Sequence, residues 1–167
     1  AKNNFETELF RPYLDHLGKV TGIAYGKDNK CDIRMRRVAD HVRAITFCIA
    51  DGALPSNEGR GYVVRKILRR AARDGYELGL QQPFLFEMVD LVGQLMGDQY
   101  PEVRDNAAQC RAVIRGEEEN FLVVYRQGTA RLQDFLQKNK PGKPTAGSGQ
   151  FAFLLHDTYG FPIDITQ

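Results

Sequence analysis

The sequence predicts an all-α protein, a helical bundle with one long helix and one basic amphipathic helix. Apolar residues recur at steps of three or four through most of the chain, which is typical of helices that bury one side. No segment alternates apolar and polar residues convincingly, as a half-buried strand would. With 167 residues, 43% of them hydrophobic, the chain is long enough for one domain with a sizeable core.

The first two helices follow from their apolar faces and their polar boundaries. A first helix is predicted over residues 5–21, because Gly22 ends the apolar pattern there. A second helix is predicted over about residues 33–50, with Asp32 as its N-cap. The buried face of the second helix is expected to consist of Val38, Val42, Ile45 and Ile49.

The third helix carries opposite chemistry on its two sides and ends near Gly75 or Gly79. It follows a polar turn, Pro55-Ser56-Asn57-Glu58-Gly59, which lacks bulk and can approach a partner closely. Helical spacing places on its buried side Val64, Ile67, Leu68 and Ala71. The other side presents Arg65, Lys66, Arg69, Arg70 and Arg73. Like charges at this spacing repel each other, so the clustering of one sign favours a surface for a polyanion over an ordinary solvated face.

The remaining elements are also predicted to be helical. A fourth helix is expected over residues 83–96. A long fifth helix is expected over residues 102–139, and it would be about 55 Å long at a rise of roughly 1.5 Å per residue. A mobile loop is expected at about residues 140–149, and a short apolar helix over residues 150–159.

Composition narrows the function classes. The net charge is only +2, so positive potential has to arise from local clustering. The three cysteines are far apart and no histidine stands at a metal-ligand spacing from them, so we expect reduced cysteines in a cytoplasmic protein. No signal peptide and no membrane-spanning apolar run is visible, and no membrane partner is expected. Because the chain opens on Ala1 and stops just after an apolar pattern has begun, it is interpreted as an excised fragment.

Signatures of an enzyme active site are missing from the sequence. No Gly-rich loop joins a strand to a helix, and no carboxylate pair is placed for acid–base work. Asp157 is nevertheless a candidate functional residue, since a carboxylate in the last turn of a helix loses about 0.3–1 kcal/mol against the helix dipole. The alternative is that Asp157 caps a nearby loop, and the pattern alone leaves both interpretations open.

Two separated blocks of the sequence resemble the alanine–tRNA ligase family. The first is RVADHVRAITFCIADGALPSNEGRGYVVRKILRRAARDG at 37–75, and the second is HDTYGFPIDIT at 156–166. Between them, the family's long-helix region is similar to GEEENFLVVYRQG at 116–128. The resemblance covers nearly the whole chain. It implies that residues 1–167 form the helical tRNA-recognition domain that follows the catalytic domain of this class II synthetase.

The resemblance also implies site residues. In this family a G·U wobble pair in the acceptor stem carries most of the tRNA identity, and the family's two base-reading residues match Asn57 and Asp157. The chemistry agrees: an amide donates to uracil O4, and a carboxylate accepts from the guanine 2-amino group that wobble pairing leaves free. Contacts to the RNA backbone, which position the stem without reading sequence, are implied for Arg60, Arg65, Lys66, Arg69, Arg70 and Arg73.

The implied partners are the acceptor stem of tRNA(Ala) and the catalytic domain of the parent enzyme. That enzyme would charge tRNA with alanine in the cytoplasm, using ATP and magnesium, whereas no catalytic residue, metal or cofactor is expected in the fragment. One alternative from another class stays open, a helical protein-interaction module whose basic face docks an acidic partner. A membrane-surface helix is disfavoured because the apolar side of the basic helix holds no Trp or Phe.

Overall fold

The computed structural model describes residues 3–138 and 148–159, and these residues contain helices and no strand. The all-α prediction is therefore confirmed, including the long helix and the basic amphipathic one. Short 3-10 helices lie at Asn4–Glu6 and Leu85–Met88. The α-helices are α1 Arg11–Thr21, α2 Asn29–Ala50, α3 Gly59–Glu77, α4 Val89–Met96, α5 Pro101–Asp105, α6 Ala107–Lys138 and α7 Ser148–Tyr159.

The chain divides into two compact units, Ala1–Glu119 and Asn120–Gln167, and the division falls within α6. In the first unit α2 is the central helix. It packs against α1, α3, α4 and α5, and most extensively against α3. The expectation of a single domain over the whole chain stays a prediction.

The core of the first unit is built around the apolar stripe of α2. Val38, Val42, Ile45 and Ile49 are each at most 1% exposed, as their helical spacing predicts. The buried side of α3 is confirmed for Val64, Leu68 and Ala71, whereas Ile67 is only half-buried. Burial of these two facing stripes fixes which side of α3 remains outside.

The observed start of α2 differs from its predicted start. Asp28, rather than Asp32, is the N-cap, and its carboxylate accepts a hydrogen bond from Cys31 N at 2.8 Å. This bond lowers the pKa of Asp28, because it stabilises the charged form. Asp32 instead accepts from Gly26 N at 2.8 Å and ties the preceding loop to the helix.

The predicted fourth and fifth helices are each divided. The fourth is the 3-10 helix at Leu85–Met88 followed by α4, and the fifth is interrupted at Asn106 between α5 and α6. Asn106 has φ −94° and ψ 8°, and its side-chain amide donates to Ala50 O at 3.4 Å, at the last residue of α2. The prediction of one continuous helix from residue 102 is wrong at Asn106, which lies outside helical geometry where it makes this tertiary contact.

The second unit contains the later part of α6 together with α7. Phe121, Tyr125 and Leu155 are at most 3% exposed, and Phe135 stacks on Phe151 with ring centroids 4.2 Å apart. Most of the predicted loop at 140–149 lies outside the described residues. Its last two residues, Ser148 and Gly149, are helical and belong to α7.

Within the described ranges, no helix is long and apolar enough to cross a membrane.

Candidate nucleic-acid interface

The polar turn before α3 is folded back onto the first turn of that helix. Ser56 N donates to Gly61 O at 3.1 Å, and Ser56 Oγ donates to Glu58 O at 2.8 Å. Gly59 has φ +57°, in the left-handed region that favours glycine, where the turn enters the helix. The backbone and the side chain of Ser56 therefore hold the turn against the start of α3, and Asn57 lies between the two bonded residues Ser56 and Glu58.

The close approach of this turn to α3 depends on Gly61. A Cβ atom at Gly61 would lie 2.3 Å from Leu54 O and 2.3 Å from Ser56 Oγ. Such distances are far inside van der Waals contact, and one of the two atoms belongs to the backbone. Only glycine fits at this position with the turn in its present place.

Asn57 is exposed, and one end of its amide is engaged. Arg65, two turns further along α3, donates from Nη1 to Asn57 Oδ1. No described residue accepts a hydrogen bond from Asn57 Nδ2. The exposed end of the side chain is thus a hydrogen-bond donor, which is the chemistry expected for contact with a base carbonyl.

The cations of α3 fall into two groups. Arg60, Lys66 and Arg70 are exposed and form no ion pair with any described residue. Arg65 and Arg69 have side chains only 26% and 25% exposed, and both contact Glu117 of α6. Arg73, the sixth cation of the predicted set, is half-buried and also has an interaction partner. The first group is the one that solvent, and hence a phosphate, can reach without breaking an ion pair.

Glu117 of α6 is the anion that pairs with both Arg65 and Arg69. Its carboxylate accepts from Arg65 Nε at 2.9 Å, from Arg65 Nη2 at 3.2 Å and from Arg69 Nε at 2.7 Å. Its side chain is 9% exposed. Two arginines against one carboxylate leave a net positive charge, so this cluster still contributes to the positive potential of α3.

Sequence reasoning did not assign a role to Glu117, although a signal was present. Glu117 lies three residues after Ile114 and four before Phe121, and both are fully buried on α6. Helical spacing therefore places its carboxylate on the buried side of the helix, where an isolated charge is costly and a cation is required. The run of three glutamates conceals this, since it has the composition of a solvated acidic surface.

The next residue, Glu118, is fully buried and caps a different element. Its carboxylate accepts from Phe84 N at 3.0 Å and from Leu85 N at 3.1 Å, at the start of the 3-10 helix. Burial raises the pKa of Glu118 to about 7, while the two backbone hydrogen bonds partly oppose the rise. Glu118 thus acts within the fold and does not reach the exposed face of α3.

The predicted base-reading residue Asp157 belongs to the second unit. Its backbone lies in α7, but its side chain and that of His156 are outside the described residues. The pairing of Asn57 with Asp157 therefore stays a prediction. In the described part of the chain, no three His, Cys, Asp or Glu side chains cluster as a metal site would require.

The chain is similar in sequence to one protein family and to several of its known members. The family described as tRNA synthetases class II (A) matches residues 1–167. An alanine–tRNA ligase of Geobacillus thermodenitrificans is 47% identical over 164 residues, which are 98% of this chain and 19% of that protein. The alanine–tRNA ligase of Bacillus subtilis is 43% identical over 164 residues, again 98% of this chain and 19% of that protein. The chain therefore spans about a fifth of the length of the relatives it matches.

Proposed function

Because the chain belongs to the class II (A) tRNA synthetases, as a region of an alanine–tRNA ligase, we propose that it recognises the acceptor stem of tRNA(Ala). The observation that carries this proposal is the exposed donor end of Asn57 beside three exposed cations on α3. The proposal concerns recognition and positioning of the RNA. Alanine activation, with its need for ATP and magnesium, is assigned to the catalytic domain of the parent enzyme, which is the second proposed partner.

The exposed cations provide the sequence-independent part of recognition. Arg60, Lys66 and Arg70 are the residues we assign to phosphate contacts, because each is accessible without the loss of an ion pair. Arg65, Arg69 and Arg73 are assigned a supporting role, since they add positive potential along the same helix. Contacts of this kind fix the register of a duplex on the protein and make its affinity depend on salt.

Asn57 and Asp157 provide the sequence-dependent part of recognition. Wobble pairing displaces uracil O4 into the major groove, where the Asn57 amide donates to it. It also leaves the guanine 2-amino group free in the minor groove, where a carboxylate is suited to accept from it. In a G·C pair the amino group is already bonded to cytosine, so Asp157 gains less. Together these two contacts favour the wobble pair over a standard pair.

The test is aminoacylation by the full-length ligase of two RNA hairpins that differ only in a G·U or G·C pair. Asn57→Ala and Asp157→Ala should each reduce the G·U preference by about ten- to a hundredfold, since a base-edge contact discriminates by roughly 1–3 kcal/mol. Asn29→Ala, which removes an exposed amide from the start of α2, is the control and should keep the parent preference. If both site variants charge the hairpins in the parent's ratio, the base-reading assignment is wrong.

A second candidate function is a docking surface for an acidic protein. It is favoured by two large apolar side chains on the first turns of α3, Tyr62 and Val63, which are 51% and 57% exposed. A competition experiment separates the candidates. The RNA-binding proposal expects the chain to prefer an acceptor-stem hairpin over a DNA duplex of equal charge, whereas a general acidic docking face would not distinguish them.

A further inference from the structure

We propose that Glu117 is a positioning residue, which acts through Arg65 to fix which end of the Asn57 amide faces the RNA. This inference rests on the proposed function. It explains how Asn57 distinguishes uracil from cytosine at the base pair that it reads. All three residues lie within the first unit of the chain.

The Arg65 guanidinium is held by contacts at three of its nitrogens. Nε and Nη2 donate to the two carboxylate oxygens of Glu117 at 2.9 Å and 3.2 Å, and Nη1 donates to Asn57 Oδ1. A guanidinium is planar, so the two bonds to Glu117 fix the direction in which Nη1 points. Glu117 is in turn 9% exposed and anchored by Arg69, so the arrangement has a rigid base.

The identity of the amide atom follows from the chemistry of arginine. A guanidinium only donates hydrogen bonds, so the Asn57 atom that meets Nη1 must be the oxygen. Rotation of the amide by 180° would place the Nδ2 hydrogens against a cationic donor. Arg65 therefore selects the amide orientation in which Nδ2 faces away from the protein.

This orientation distinguishes uracil from cytosine. In the major groove uracil presents the O4 acceptor, as thymine does, whereas cytosine presents the N4 amino donor. An amide locked with Nδ2 outward bonds to uracil and opposes cytosine donor to donor. An amide free to rotate can turn Oδ1 outward and accept from cytosine. Loss of the contact between Arg65 and Asn57 should therefore raise activity on the G·C stem, whereas loss of Asn57 itself should lower activity on the G·U stem.

The experiment measures kcat/KM of the full-length ligase on the G·U and G·C hairpins for Glu117→Gln and Arg65→Gln, whose neutral amide can bond to either end of the Asn57 amide. Both variants should raise the ratio of the G·C value to the G·U value by roughly tenfold, within the range of one base contact. Glu119→Gln is the matched control: it makes the same chemical change two residues along α6, at a side chain that is 50% exposed and paired with Arg115. It should keep the parent ratio.

Each outcome decides between named alternatives. In an Asn57→Ala background, Glu117→Gln should no longer change the ratio, because the amide it positions is absent. Unchanged ratios in Glu117→Gln and Arg65→Gln, with a changed ratio in Asn57→Ala, would overturn the positioning role and leave the proposed function standing. A uniform gain of affinity for both hairpins, with a steeper salt dependence, would show that Glu117 merely neutralises the arginines. If Glu117→Gln does not fold, Arg65→Gln decides the question by itself.

Discussion

Arg37 of α2 and Asp74 of α3 form an ion pair with two hydrogen bonds, in which the carboxylate is buried and the guanidinium is not. The bonds measure 2.5 Å from Nε to Oδ2 and 2.7 Å from Nη2 to Oδ1, and the side chains are 35% and 2% exposed. The hydrogen bonds that Arg37 donates to Asp74 raise the pKa of Arg37 above its usual value, because they stabilise the charged guanidinium. The ion pair joins the two helices whose packing orients the basic side of α3.

Removal of Arg37 should therefore destabilise the fold markedly. Arg37→Ala leaves the Asp74 carboxylate buried without its cation, which should cost about 3 kcal/mol in the free energy of unfolding. Arg34→Ala removes the same side-chain type from the same helix, but its partner Glu77 is 41% exposed, and the cost should stay below about 1 kcal/mol. Urea denaturation of both variants gives the comparison. Equal unfolding midpoints would show that the buried pair has no special weight.

The exposed cations of α3 should set affinity without setting preference. The double variant Lys66→Ala/Arg70→Ala should weaken binding of G·U and G·C hairpins alike and make the salt slope shallower by roughly 0.7–0.9 for each phosphate that the protein no longer neutralises. Lys19→Ala/Lys27→Ala removes two exposed charges from α1 and the following loop, and serves as the control of equal charge. Binding titrations over a range of salt concentrations measure both quantities. If the salt slope becomes shallower by the same amount in both double variants, a local phosphate contact at α3 is excluded.

Gly61→Ala should displace the turn that carries Asn57. Its Cβ meets Leu54 O at 2.3 Å, so the turn has to move, while α3 itself keeps its packing on α2. We expect a reduced G·U preference with little change in helical circular dichroism. Gly116→Ala makes the same substitution on α6, where nothing lies within 4 Å of the new Cβ, and should stabilise the helix by up to about 1 kcal/mol. A Gly61→Ala enzyme with the parent's preference would show that the position of the turn is unimportant.

The buried Glu118 should make stability depend on pH. Its pKa is about 7 in the folded chain and its ordinary value is 4.5, so the folded state holds the proton more tightly. The stabilisation is complete below pH 4.5 and is lost as the pH rises through 7, with a total on the order of 3 kcal/mol. The free energy of unfolding should accordingly be lower at pH 8 than at pH 5.

Comparison of Glu118→Gln with Glu119→Gln assigns this pH dependence to one residue. Glu118→Gln has no titrating group at the buried position, so its stability curve should be flatter between pH 5 and 8. Glu119→Gln, at an exposed side chain, should keep the parent curve. A flattened curve in the second variant, or a parent-like curve in the first, would contradict the assignment to Glu118.

Periodicity predicted the all-α fold and most of the buried positions of α2 and α3. The α2 stripe from Val38 to Ile49 and the α3 positions Val64, Leu68 and Ala71 are all buried, whereas Ile67 is only half-buried. The break at Asn106 was not predictable in this way. It coincides with a hydrogen bond to Ala50, 56 residues earlier, and no local pattern encodes a partner at that distance.

The candidate site was predicted in part. The residue types of α3 and the turn before it indicated a basic surface with Asn57 at its edge, and the exposure of Asn57, Lys66 and Arg70 agrees with that hypothesis. The sequence did not indicate that Arg65 and Arg69 are held by one carboxylate from another helix. Sequence separation hides such a contact, since Glu117 lies 48 residues beyond Arg69.

The neighbouring carboxylates Glu117 and Glu118 also limit which changes of length the first part of α6 can accept. Glu117 serves the arginines of α3, and Glu118, about 100° further around the helix, serves the amides of Phe84 and Leu85. Insertion of a single residue between Asn106 and Glu117 would rotate both acids away from their partners at once. An insertion of seven residues would nearly restore the angular phase but would advance the helix by about 10 Å. We therefore expect this stretch to tolerate substitution far better than insertion or deletion of any length.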